Sequence, residues 1–461
     1  MDEEGEAKKS DCTSSFRCDG EETRAVSPTS VPCDDGGMAK EAEVRPLRVG
    51  TPHSQGPAAV ISRRAANGLR EGSVWVYRTD VEQVLPAVGA TSLEPGSLLT
   101  VLDGRGIPLG SALFSSTSQI TLRMVSGIPG LKREDYLATV ATRVAAAISL
   151  REELTPTDAE NNACRLVFSE ADQLPGIVID RYNDLVITQM LIQGTAQDDV
   201  RAELVKVLRE RLSPATILER PDPRTRILEE LPASPSEPLY ADRQEEQLQT
   251  TFTINGLRFA YDVASGQKTG AFLDQRLNYL AAARQGRGRA LDICTYQGGF
   301  ALHLARTCEQ VTGVDTSRVA LEVADGNLEL NAGLAGRVDW IEADAFDLLR
   351  EYEVTGERFD TIVLDPPAFA KSKRATEGAV RGYKEMNLRA LKMLRPGGTL
   401  VTCSCSHHVS LADFTAVVSA AAADAHRRVQ VLEVRGAAPD HPAILTLPET
   451  SYLKCLICRV E

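Results

Sequence analysis

The stretch Arg289-Ala-Leu-Asp-Ile-Cys-Thr-Tyr-Gln-Gly-Gly-Phe300 decides the fold. A short apolar strand runs into a glycine pair, and a helical pattern follows. Glycines placed between a strand and a helix let a ligand approach backbone N–H groups closely. Asp315 ends the next strand pattern about twenty residues on, where a carboxylate can grip ribose hydroxyls. Asp344 closes a third strand in Ile341-Glu-Ala-Asp344. The set has the geometry of a nucleoside site. The loop lacks G-x-G-x-x-G, which disfavours a nicotinamide dehydrogenase.

Working outward, strands over 290–294, 310–315, 338–343, 360–365 and 398–404 alternate with helices over 299–308, 317–331 and 380–394. Val429–Val434 and Tyr452–Val460 add two strands. This rhythm predicts a doubly wound, mostly parallel sheet with helices on both faces. The fourth strand ends in Asp365-Pro-Pro-Ala-Phe-Ala-Lys371. Two prolines there fix a rigid backbone and hold a carboxylate at the crevice. The fifth begins after the turn Arg395-Pro-Gly-Gly398 and ends in Thr402-Cys-Ser-Cys405. Polar groups at the carboxyl ends of such strands sit where ligands bind.

Towards the N-terminus, residues 1–45 read as a disordered acidic tail without apolar periodicity. Residues 46–130 read as a β-rich domain, with strands at Ala58–Ser62, Val74–Arg78, Leu98–Leu102, Leu109–Phe114 and Gln119–Met124. Arg63, Arg64 and Arg70 lie near Trp75 there, and such groups can hold phosphates and stack on bases. Residues 131–245 read as a small α+β domain opened by an amphipathic helix over 131–153. Residues 246–461 form the third domain, led by a hairpin over 250–263 that turns at Asn255-Gly256.

The 461 residues carry a net charge of -13, which argues against a protein that coats nucleic acid indiscriminately. No apolar run reaches the ~18–20 residues that span a bilayer. The ten cysteines are scattered, which favours a reducing cytoplasm over a disulfide scaffold. Cys403, Cys405, Cys455 and Cys458 could suggest zinc, but Cys455-Leu-Ile-Cys458 lies in an apolar strand pattern that sends its thiols to opposite faces. No metal site is expected.

Four segments carry a family resemblance: Gly266-Gln-Lys-Thr-Gly-Ala-Phe-Leu-Asp-Gln-Arg276, Leu291–Phe300, Val363-Leu-Asp-Pro-Pro-Ala-Phe-Ala-Lys-Ser-Lys373 and Leu400-Val-Thr-Cys-Ser-Cys-Ser406. Together they resemble class I S-adenosylmethionine-dependent methyltransferases, and more closely the bacterial large-subunit (23S) ribosomal RNA cytosine-C5 methyltransferases. The resemblance implies a Rossmann-like catalytic domain, a central α+β domain and an N-terminal PUA-like domain. In the last, Gly72-Ser-Val-Trp75 departs from the usual Gly-His-Pro-Trp-like stretch. It implies S-adenosylmethionine as cofactor and ribosomal RNA as partner, with no membrane, and fits a homodimer.

The resemblance also implies roles. Lys268, Thr269, Asp274 and Arg276 would line the methionine end of the donor, with Arg276 on its carboxylate. Asp292, Tyr296, Gly298 and Gly299 would cradle the donor. Asp315 would hold its ribose, and Asp344 and Ala345 would lie by the adenine. Asp365 would face the target base, with Lys371 and Lys373 among the RNA contacts.

The chemistry explains the thiols. Cytosine C5 is a poor nucleophile until a thiolate adds at C6, so covalent catalysis is expected. Thr402-Cys403-Ser404 matches the nucleophile motif of cytosine-C5 RNA methyltransferases, which favours Cys403 over Cys405. Two other readings remain open on sequence: a same-fold enzyme that methylates a guanine or exocyclic nitrogen and needs no nucleophile, and a non-catalytic RNA-binding assembly factor.

Overall fold

The computed structural model describes residues 46–242, 248–263, 270–334, 336–369 and 376–461. The tail expected over 1–45 lies outside them. The first sheet contains β1 (Ala58–Ile61), β2 (Trp75–Tyr77), β3 (Val81–Leu85), β4 (Leu98–Asp103), β5 (Pro108–Phe114) and β6 (Ile120–Ser126), ordered β2-β6-β5-β4-β1-β3. Helix α1 (Arg63–Arg70) follows β1, and the Ser62 hydroxyl accepts the Ala65 N–H at its first turn. The sequence pattern passed over α1 because only Ala66 on it is buried, which leaves no apolar period.

Helix α2 (Arg133–Leu154) leads into β7 (Ala163–Phe168), β8 (Ile177–Tyr182), β9 (Leu185–Met190), α3 (Asp198–Leu212), β10 (Thr216–Glu219), α4 (Pro223–Leu228) and β11 (Tyr240–Ala241). Their sheet runs β11-β10-β9-β8-β7. Tyr136, Val140, Val144, Ala147 and Ile148 of α2 pack into its core. A hairpin of β12 (Gln249–Ile254) and β13 (Leu257–Asp262) follows, with Asn255 at φ 52° and Gly256 at φ 79°, both positive as a type I′ turn requires.

The third sheet has seven strands: β14 (Arg289–Ile293), β15 (Gln310–Asp315), β16 (Val338–Glu342), β17 (Phe359–Leu364), β18 (Leu394–Ser404), β19 (Val429–Arg435) and β20 (Lys454–Val460). Their order is β16-β15-β14-β17-β18-β20-β19. The first five are parallel, and β20 runs antiparallel to both its neighbours. Helices α5 (Arg276–Gln285), α6 (Gly299–Leu304), α7 (Arg318–Leu330), α8 (Ala345–Thr355), α9 (Thr376–Met393) and α10 (Leu411–Asp424) complete the unit. Helix α6 is shorter than its sequence pattern, and α5, α8 and α10 were not anticipated. Two apolar cores, one around Phe300 and one around Leu291, flank this sheet. The chain reverses direction across the sheet between β14 and β17. A crevice therefore opens at their carboxyl ends.

Charged side chains clasp the second sheet to the third. Arg151 donates to both oxygens of Asp172 and to the Asp440 carbonyl, at 2.5, 2.8 and 2.9 Å. The Arg165 N–H donates to Asp440 Oδ2 at 3.0 Å. No helix among the described residues is long and apolar enough to cross a membrane.

Candidate active site

The crevice holds a cavity of about 540 Å³. Asp274, Tyr296, Gly299, Asp315, Asp344, Ala345 and Asp365 all line it, so the fold gathers most of the expected residues in one place. The loop after β14 is bent to make room. Cys294, Tyr296 and Gly298 have φ of 64°, 52° and 85°. Left-handed backbone at two non-glycine residues stores strain, which persists only where surrounding contacts enforce it. Asp315 is one such contact. Its Oδ2 accepts the Tyr296 N–H and its Oδ1 the Ser317 N–H, each at 2.9 Å. A carboxylate has about four acceptor sites, which leaves capacity for ribose hydroxyls. Asp344 caps α8 through the Phe346 and Asp347 N–H groups, placing Ala345 and Phe346 on the wall.

Several expected residues lie elsewhere. Gly298 caps α6 and is not in the lining. Asp292 is fully buried beneath Thr295, whose hydroxyl donates to its Oδ2 at 2.6 Å. Burial pushes the carboxyl up to about 7, against the lowering effect of the Thr295 hydroxyl and the Ala301 N–H. Arg276 is absent from the lining. It is 4% exposed, and its guanidinium donates to Thr155 Oγ1 at 2.6 Å and lies 3.5 Å from Asp440 Oδ2. It holds the joint between two sheets instead of facing a ligand. Burial opposes ionisation of Asp440, yet its bond to His441 and the Arg276 charge bring it down to about 2. Lys268, Thr269, Lys371 and Lys373 lie outside the described residues.

The cysteines part company. Strand β18 ends at Ser404, so alternation along the strand no longer governs Cys405. Cys403 is 0% exposed and pairs across the sheet with Cys455. Burial, then Cys455 and Asp365, hold its thiol well above the ordinary range. Cys405 turns into the cavity wall, its Sγ 3.9 Å from the Pro366 carbonyl oxygen. Beside it stands Lys454, whose ammonium donates to the Ser406 and Tyr452 carbonyls at 2.7 Å each. Burial lowers Lys454 to about 8, a shift that Cys405 opposes. A cation next to a thiol favours the thiolate. The geometry therefore reverses the order expected between the two cysteines.

Asp365 directly follows β17 and accepts the Gln275 side-chain N–H at 3.0 Å. Burial, with Asp274 and Asp292 nearby, pushes its carboxyl up to about 8. Asp274 accepts the Tyr452 hydroxyl. Sequence reasoning missed Gln275, Tyr452 and Lys454 as site residues. The last two precede or begin β20, and only the antiparallel pairing of β20 with β18 brings them to the cysteine.

The N-terminal residues play mixed parts. Arg64 pairs with Asp80 and Arg70 with Asp103, each at 2.7 Å, while Arg63 is exposed. The Trp75 indole donates to Glu170 Oε1 at 2.9 Å, so it bridges the first two sheets rather than standing free for a base.

The S-adenosylmethionine-dependent methyltransferase family model matches residues 206–457, and a PUA-like domain model matches 60–127. Ribosomal RNA large subunit methyltransferase I of Erwinia tasmaniensis is 37% identical over 87% of this chain and 98% of its own. The chain belongs to this family. Its namesake in Photobacterium profundum is 36% identical over 85% of this chain and 96% of its own. A Streptococcus mutans structure that carries the name SAM-dependent methyltransferase shares the fold with a TM-score of 0.72. It is 18% identical and covers 87% of this chain and 99% of its own. As a member of the family the chain is an S-adenosylmethionine-dependent methyltransferase with a Rossmann-like catalytic unit. Its residues fit the cofactor. The cavity combines an apolar wall at Ala345 and Phe346, suited to an adenine ring, with the Asp315 and Asp344 carboxylates, suited to hydroxyl and amine donors.

Proposed function

We propose that the enzyme forms 5-methylcytosine in large-subunit (23S) ribosomal RNA through a covalent bond from Cys405 to C6. One observation carries this reading. A cavity-lining thiol has a buried ammonium beside it and shares its wall with the Asp365 carboxyl, which burial pushes up to about 8. A nitrogen methyltransferase needs no such thiol. The target base would enter unstacked from the RNA. The Asp365 carboxyl would donate to N3 and the Pro366 carbonyl would accept from the N4 amine. Cys405 then adds to C6, and the electrons it brings make C5 nucleophilic. Bound S-adenosylmethionine supplies the electrophilic methyl group. The donor would be held by Asp315 at the ribose, Asp344, Ala345 and Phe346 near the adenine, and Tyr296 and Gly299 along the loop. Asp274 lies at its methionine end, and Asp292 below.

The same proposal divides the chain at about residues 45, 130 and 245, and the three larger of the four sheets among the described residues fall on either side of the last two boundaries. Among the described candidates, Arg63 is an exposed residue that could contact RNA. A homodimer and a cytoplasmic location also belong to the proposal. Val431, Leu432 and Val434 are exposed on the edge strand β19, and light scattering in solution would test the dimer. The substrate reading is tested by methylating unmodified 23S RNA with tritiated donor and identifying the labelled nucleoside. The proposal expects 5-methylcytidine. A methylated guanosine or an amine-methylated nucleoside would reject it.

A further inference from the structure

We propose that Tyr452, backed by Asp274, is the base that removes the C5 proton and releases the product. This rests on the cytosine-C5 reading above.

Once C5 carries both a methyl group and a hydrogen, the hydrogen must leave before the sulfur can. Delivery of the methyl group to the ring face opposite the sulfur leaves that hydrogen on the sulfur's side. The acceptor must therefore stand near Cys405. Tyr383, Tyr452 and Lys454 each feel the charge of Cys405. Tyr383 is buried behind the wall, where its hydroxyl is engaged by Ser404 and Ser406 at 3.0 and 2.9 Å. Lys454 is 5% exposed and spends its N–H groups on two carbonyls. Neither lines the cavity. Tyr452 does, together with Cys405, Asp365 and Asp274.

Its surroundings hold it for this task. The Tyr452 ring packs on His407 and Phe168 with centroids 5.4 and 6.2 Å away. Its carbonyl is pinned by Lys454, and its hydroxyl donates to Asp274 Oδ2. Burial, then the Asp274 charge, hold the phenol well above its ordinary range. A phenol so placed can accept a proton only if it passes its own on. Asp274 is positioned to take it.

The step balances. The phenol oxygen takes the C5 proton while its own proton moves to Asp274 Oδ2. The C5–H electrons form the C5=C6 double bond. The C6–S bond breaks, and its electrons leave with Cys405 as thiolate. The ring keeps the methyl group, and Asp274 ends protonated.

The test uses the full-length chain with Tyr452→Phe, and Asp274→Asn as second variant in case the first fails to fold. Each is incubated with a 23S RNA transcript and donor tritiated in the methyl group, then run on a denaturing gel. The inference expects turnover to fall by about 10²-fold or more. It also expects a tritium-labelled protein–RNA band that wild type does not accumulate, because methylation proceeds and release stalls. Turnover within threefold of wild type with no band would overturn it. So would a folded variant that binds donor and RNA but gives neither band nor product. A parallel arm carries 5-fluorocytosine in the RNA, which traps the adduct whatever the base. Absence of that band in wild type would instead defeat the covalent reading itself.

Discussion

Two neighbouring thiols receive opposite environments within three residues. Cys403 faces Cys455 and Asp365 in the core, where burial and these two groups outweigh the Gln275 amide and oppose a thiolate. Cys405 lines the cavity and feels the charge of the Lys454 ammonium behind it. Asp365 allows a pH test at the same scale. Its folded value of about 8 lies above the ~3.9 of an unfolded aspartate. The folded state therefore binds more protons between those values, and this group's contribution to stability falls as pH rises from about 4 to about 8. Asp365→Asn should melt above wild type at pH 8, with the difference closing towards pH 4. Melting curves across that range would show it, and a gap that does not vary with pH would contradict it.

At the scale of elements, helix α5 shows why a motif can mislead. Arg276 stands in a segment that resembles a cofactor-binding motif, but as the first residue of α5 it points to Asp440 and Thr155. Arg276→Ala should lower stability by about 1–3 kcal/mol, because it removes the Thr155 hydrogen bond and one of the partners of the buried Asp440 carboxylate, which keeps His441 and the Arg165 N–H. Urea unfolding would measure the loss, and calorimetry should find donor affinity little changed. Intact stability with weakened donor binding would return Arg276 to the methionine carboxylate. Strands β14 to β18 were legible because buried parallel strands read as apolar runs that end in turn residues. Asp315, Asp344 and Asp365 were legible because each ends or directly follows a strand, or caps the helix after it. Helix α5 was not, since its buried face mixes Arg276, Asn278 and Tyr279 with alanines. Tyr452 and Lys454 were not, because no local pattern reports which strand β20 will join.

At the scale of the molecule, contacts distant in sequence join three sheets. Asp440 of the catalytic unit is grasped by Arg151 of α2 and Arg165 of β7, and Trp75 of the first sheet reaches Glu170 in the turn between β7 and β8. Trp75→Phe keeps the ring and removes the donor. It should cost about 1–2 kcal/mol of stability and leave RNA affinity within twofold, read by thermal unfolding and filter binding. A loss of RNA affinity at unchanged stability would make Trp75 a base contact after all. These joints make the catalytic wall a product of distant segments, since Tyr452 lies on the same β19–β20 connection that Asp440 anchors. The most direct check is the identity of the attacking thiol. RNA carrying 5-fluorocytosine, incubated with enzyme and donor, should yield an adduct whose cross-linked peptide, read by mass spectrometry, is joined at Cys405. Cys405→Ala should abolish it and Cys403→Ala should keep it. An adduct on Cys403, or 5-methylcytidine formed by Cys405→Ala, would contradict the account.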